Sequence, residues 1–104
     1  MEKKDHTITY LLSTYPGEEA WRKLAAECAV DLNRRVDKEF FSSYFDDIEL
    51  AAVLARHFDR HAIDWFNSTE IPALYGFSPR DLWIGSHDAR NALRSMLMRM
   101  PGRQ

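Results

Sequence analysis

Lysine disappears from the chain after Lys38, and cysteine occurs once, at Cys28. A single cysteine excludes a disulfide framework within one chain and a cysteine-based zinc cage. Four glycines and four prolines in 104 residues leave no glycine/serine linker and no low-complexity tract. The span 1–104 is therefore read as a single domain, with 1–14 as a flexible arm. No apolar run approaches the roughly 18 residues that a membrane span needs. The opening Met-Glu-Lys-Lys-Asp-His lacks the apolar stretch of a signal peptide. The expectation is a cytoplasmic protein that does not engage a membrane. Glycine-rich phosphate loops, a nucleophile elbow and a zinc-deaminase signature are also missing. Their absence argues against an enzyme, and no cofactor is expected.

What is present is material for a core: 45% apolar residues and 12% aromatics. Fourteen Lys+Arg against sixteen Asp+Glu give a net charge of −2, unlike the basic footprint of a nucleic-acid-coating protein. The charge is unevenly placed. Residues 1–52 hold seven cations and eleven anions, whereas residues 53–104 hold seven cations, all arginine, and five anions. Arginine forks suit partner contacts better than lysine point charges do, so the C-terminal half hints at an interaction surface. Ordinary composition bias is the competing explanation.

Apolar spacing predicts an all-α fold, a compact bundle of about five helices. The first covers about 17–36, with Trp21, Leu24, Ala25, Cys28, Leu32 and Val36 at three- and four-residue steps. A short second helix, 38–45, capped by Asp37, gathers Phe40, Phe41, Tyr44 and Phe45 as core or as a dimer seam. The longest, about 47–66, opens on Asp46 as cap with Glu49 three residues on. Ser78-Pro79-Arg80-Asp81 then starts a helix at 79–84, and Ser86 caps the last, about 87–100. His6 to Leu12, with partial alternation and β-branched residues, reads as a short strand or an arm.

Candidate chemistry is sparse. His57 and His61 stand at i and i+4, but Phe58 occupies the place where a metalloprotease motif needs Glu. A solvated or locally hydrogen-bonded pair is the expectation, and no metal site is assigned. Cys28 lies on an apolar stripe and reads as a buried structural thiol. Residues 17–45 could pose as a helix-turn-helix, but the sequence Glu39 to Phe45 offers aromatics and serines where a recognition helix wants Arg, Asn or Gln.

The stretch from Trp65 to Leu82, WFNSTEIPALYGFSPRDL, carries the most motif-like order. The pair Trp65-Phe66 ends a helix, and Pro72-Ala73-Leu74 and Gly76 form a loop. Ser78-Pro79 with Asp81-Leu82 opens the next helix, and Gly85 precedes the last one. Over about 48–100 this order resembles the toxin-binding domain of Xre/MbcA/ParS-type antitoxins. Tyr75 stands where a second glycine is usual, the loop before Pro72 is one residue longer, and the acidic tail and N-terminal helix-turn-helix of full antitoxins are not evident.

The resemblance implies a partner, a RES-domain toxin that consumes NAD, neutralised by protein–protein contact at its active-site mouth. On that reading Arg90 and Arg94, one turn apart, and the tail residues Arg99 and Arg103 are the candidate partner contacts, with Tyr75 and Phe77 from the loop. Surface solvation or core packing is the alternative for each. The expected protein is thus a small antitoxin-like, self-associating regulator. Its rivals are a nucleic-acid-associated regulator using the Arg-rich last helix, whose affinity would fall steeply with salt, and a structural dimeric subunit, whose stability would rise with concentration.

Overall fold

The computed structural model describes residues 3–100, and every regular element among them is helical. Seven α-helices follow one another: α1 (Lys3–Ser13), α2 (Glu18–Asn33), α3 (Lys38–Phe45), α4 (Ile48–Phe58), α5 (Ala62–Phe66), α6 (Pro79–Trp83) and α7 (His87–Arg99). Two 3-10 turns, Asp59–His61 and Pro72–Leu74, lie between them. The chain divides into two compact units, one holding the N-terminal residues through Pro16 with Ile63–Arg99, the other holding Gly17–Ala62. No helix among the described residues is long and apolar enough to cross a membrane.

In the Gly17–Ala62 unit, α4 is the central helix: Leu50 through Ala55 and His57 are all buried, the signature of a helix covered on most sides. Against it packs α2, whose buried residues Trp21, Ala25, Cys28 and Leu32 keep the four-three-four spacing of one helical face. Gly17, at φ +109, supplies the turn into α2 that a side chain would strain. The Trp21 indole N–H donates to Glu49 at 3.1 Å, so the largest residue of the seam is also pinned by a hydrogen bond. Burial raises the Cys28 thiol above its ordinary range, against an opposing contribution from Arg56. The thiol is buried, as its stripe position predicts.

Three junctions differ from the sequence reading. Asp37 precedes α3, but its carboxylate does not cap the helix. Arg35 grips it with two N–H donors at 2.8 and 2.9 Å. The hydrogen bond to Arg35 is the leading reason that the Asp37 carboxyl lies below its ordinary range. A lowered carboxyl stabilises the fold above its unfolded value and loses that contribution as pH falls through the folded one.

Asp46 does not cap α4 either. It ends α3 in the left-handed region (φ 53, ψ 29), and Asp47 is the cap, accepting from Leu50 N at 2.9 Å. Glu49, expected to close a capping box, serves Trp21 instead.

The helix expected over 47–66 breaks at Asp59 (φ 52, ψ −132), whose carboxylate accepts from Arg35 at 2.7 Å. That bond couples the break to the end of α2, while the apolar spacing runs through it uninterrupted.

The N-terminal segment is the other correction: Lys3–Ser13 is helix, not strand or arm. Thr7 and Leu11, four residues apart, are buried, and α1 packs along α7. Packing of a single face thus overrides the β-branched local preference. Ser13 and Thr14 hydroxyls donate to the carbonyls of Tyr10 and Leu11, closing the helix end.

Candidate protein-interaction site

The site is built in the unit that holds Ile63–Arg99, where the chain reverses between two short-range caps. Pro72–Leu74 is a 3-10 turn whose Leu74 is fully buried. Tyr75 then takes a left-handed backbone (φ 51, ψ 44), Gly76 another positive φ (+95), and Phe77 N closes the loop on Leu74 O at 3.0 Å.

Ser78 and Asp81 form a reciprocal capping box. The Ser78 hydroxyl accepts from Asp81 N (3.1 Å) and the Asp81 carboxylate from Ser78 N (2.9 Å), with Pro79 at the first helical position. Two backbone donors that the start of α6 would leave bare are thereby satisfied. At Gly85 a β-carbon would come within 3.1 Å of the Asp81 carbonyl, so a side chain there would push on α6 itself. Ser86 caps α7 by accepting from Ala89 N at 3.1 Å. Leu74, Leu82 and Leu93 are buried, and α6 packs on α7.

This reversal brings Trp83, the last residue of α6, against the side of α7 that carries Arg90 and Arg94. The Arg90 guanidinium carbon lies 4.4 Å from the centroid of the Trp83 ring system and that of Arg94 5.3 Å. Arg90 Nε donates to the Trp83 carbonyl at 3.1 Å, meeting one of the carbonyls that the end of α6 leaves open. Arg94 donates to Asn91 Oδ1 at 3.0 Å, and the Asn91 amide lies 3.2 Å from His87 Nε2.

Trp83 is only 7% exposed, while both arginines are half-buried. Two cations are therefore stacked on one indole, each also held by a hydrogen bond. A cation over an aromatic ring is worth about 0.5 to 2 kcal/mol. More important for recognition, side chains so fixed lose less conformational freedom when a partner binds.

The other sequence candidates fall elsewhere. Arg99 is exposed, but it is folded back on α1. Its guanidinium sits 5.1 Å from the Tyr10 ring centroid and donates to the Tyr10 hydroxyl at 3.0 Å and to Thr14 Oγ1 at 3.4 Å. Beside it Thr14 and Ser95 hydroxyls are 3.2 Å apart, so this edge binds α1 to α7. Tyr75 is 60% exposed at the loop tip and Phe77 is half-buried. Arg103 lies outside the described residues. Trp83, which organises the arginine pair, was not among the residues that sequence singled out for the site. Its place beside Leu82 in the short helix that stops at Gly85 is the only signal.

The second unit holds a polar cleft of roughly 320 Å³ lined by Asp31, Leu32, Arg35, Ala55, Arg56 and Asp59. Its cations are already committed, Arg35 to Asp37 and Asp59 and Arg56 to Asp31 at 3.3 Å. The cleft is thus internally neutralised. Among the described residues no group of three or more His, Cys, Asp or Glu is placed to hold a metal ion.

No family model, curated protein or solved structure matches this chain.

Proposed function

We propose that this chain is a small, non-catalytic protein-binding regulator of antitoxin type, which recognises an acidic surface of a partner through Arg90 and Arg94. The observation that carries the proposal is the stacking of both arginines on Trp83, which presents two oriented cations one helical turn apart. Arginine and tryptophan are the residues most enriched where protein interfaces concentrate their binding energy.

The resemblance adds the identity of the partner, a RES-domain toxin that consumes NAD. Its support here is local. The motif residues build a coherent device, in which a 3-10 turn at Pro72, a positive φ at Gly76 and the Ser78/Asp81 capping box together place Trp83. Tyr75 also adopts the left-handed backbone that a glycine would take without strain, at the place where the family has one.

The test is co-purification of tagged chain from its source cells, followed by an NAD-consumption assay on the recovered partner. A stoichiometric toxin whose NAD turnover the chain suppresses is the expected result. Arg90→Glu/Arg94→Glu should then weaken binding by about 100-fold or more while far-ultraviolet circular dichroism stays unchanged. If the charge-reversed variant still binds, the arginine pair is not the site. If no partner enzyme is recovered, the neutralising role itself fails.

A further inference from the structure

Helix α1 is held to α7 mostly by polar groups. Among its described side chains only Thr7 and Leu11 are buried, whereas α2 buries a tryptophan and three further residues on its seam. Among the described residues the Thr7 hydroxyl has no hydrogen-bond partner, although it is buried. Such a group gives up its water when the helix closes and gains no bond in return. On the α7 side, Ser95 adds a second, fully buried hydroxyl.

The remaining contacts gather at the C-terminal end of α1. Thr14 donates to the Leu11 carbonyl at 3.2 Å, so its oxygen accepts from Ser95 at 3.2 Å and from Arg99 at 3.4 Å. Arg99 also lies over the Tyr10 ring and donates to its hydroxyl at 3.0 Å. No basic residue stands in the last turn of α1, so Arg99 supplies the cation that the negative end of the helix favours. Both Arg99 and Tyr10 are exposed, which places this clasp among the weaker, solvated kind.

A helix of eleven residues is marginal in water without packing. Its closure therefore depends on one leucine and a solvated clasp. The segment that follows, 14–17, is not helical and ends at Gly17, whose positive φ a side chain would resist. α1 also packs on the Pro72–Leu74 turn, from which the chain runs through Gly76 and the Ser78/Asp81 box to Trp83.

We propose that α1 is a strap. It opens from α7 in a step of its own, with α7 and the Gly17–Ala62 unit still folded, and its opening loosens the Pro72–Leu74 turn that leads to the arginine pair. Elements with few buried apolar contacts lie at the low end of local opening free energies. The opening itself rests on α1 and α7 alone. Only its bearing on partner binding rests on the arginine-pair reading.

Hydrogen exchange of the full chain, resolved by segment, tests it. Amides of Lys3–Ser13 are expected to exchange about 100-fold faster than those of α7 and α4. Thr7→Val keeps the shape of the side chain and removes the unmet hydroxyl, so it should slow exchange in α1 by about 10-fold. Arg99→Ala breaks the clasp and should speed it by about 5-fold. Exchange in α4 and α7 should keep its wild-type rate in both variants. The amides of Leu74, Tyr75 and Phe77, which close the turn, should shift in the same direction as those of α1.

A single common rate across α1 and α7 overturns the strap, as does an α1 without any protection. A Thr7→Val variant no slower than wild type overturns the part given to the buried hydroxyl. A turn that ignores both variants overturns the link to the arginine pair, whose own binding test is separate.

Discussion

Tyr75 holds its backbone in the left-handed region with most of its ring in solvent. For a residue with a β-carbon this conformation costs about 1 kcal/mol, a cost that glycine does not carry. Tyr75→Gly is therefore expected to leave stability unchanged or raise it by about 0.5 kcal/mol, the relief exceeding the entropy that glycine adds to the unfolded chain. Tyr75→Val, β-branched and least tolerant of positive φ, is expected to lower it by about 1 kcal/mol or more. Urea denaturation of the two variants decides the matter, and a lower midpoint for glycine than for valine would contradict the strain argument.

At this scale the sequence was only partly legible. The four-residue step from Arg90 to Arg94 could be read directly, because helical period is local. That Arg99 would instead grip Tyr10, 89 positions away, could not. Nor could the engagement of Asp37 and Asp59 by one arginine, since neither spacing nor composition records a contact across 24 residues.

Elements were legible where their ends are written in capping chemistry. The Ser78-Pro79-Arg80-Asp81 start of α6 was read from side chains alone, and the structure closes both of its hydrogen bonds. A five-residue helix has few bonds of its own, so its cap weighs heavily. Ser78→Ala should cost about 1 kcal/mol in urea denaturation, with Ser78→Asp recovering most of it. Equal losses for both substitutions would show that the buried position of Ser78 matters more than its hydrogen bond.

The elements that escaped the reading do so for two reasons, tertiary packing that overrides local preference and a backbone turn that apolar spacing does not record. The β-branched run in α1 becomes helix because Thr7 and Leu11 lie on the face turned to its neighbours. The stripe from Ala51 to Phe66 looks continuous because apolar periodicity survives a break whose cause is the backbone turn at Asp59.

Across the whole chain, the all-α class was the most legible property, because it sums many independent periodic signals. The division into two compact units was not, since no glycine-rich or charged stretch separates them. Each unit has one buried tryptophan: Trp21 is fully buried in one, and Trp83 is nearly so in the other, which also holds the half-buried Trp65. With Trp65 replaced by Phe, a further Trp83→Phe or Trp21→Phe change leaves a single emitter that follows one unit alone. Unfolding traces of the two variants then report each unit separately.

The surviving Trp83 has an added property, because it lies beneath two positive charges. Its fluorescence should repel caesium ions and draw iodide to its rim, and Arg90→Glu/Arg94→Glu should invert that order. Occupation of the arginine pair by any acidic surface thereby becomes an optical signal intrinsic to the protein, readable without a label.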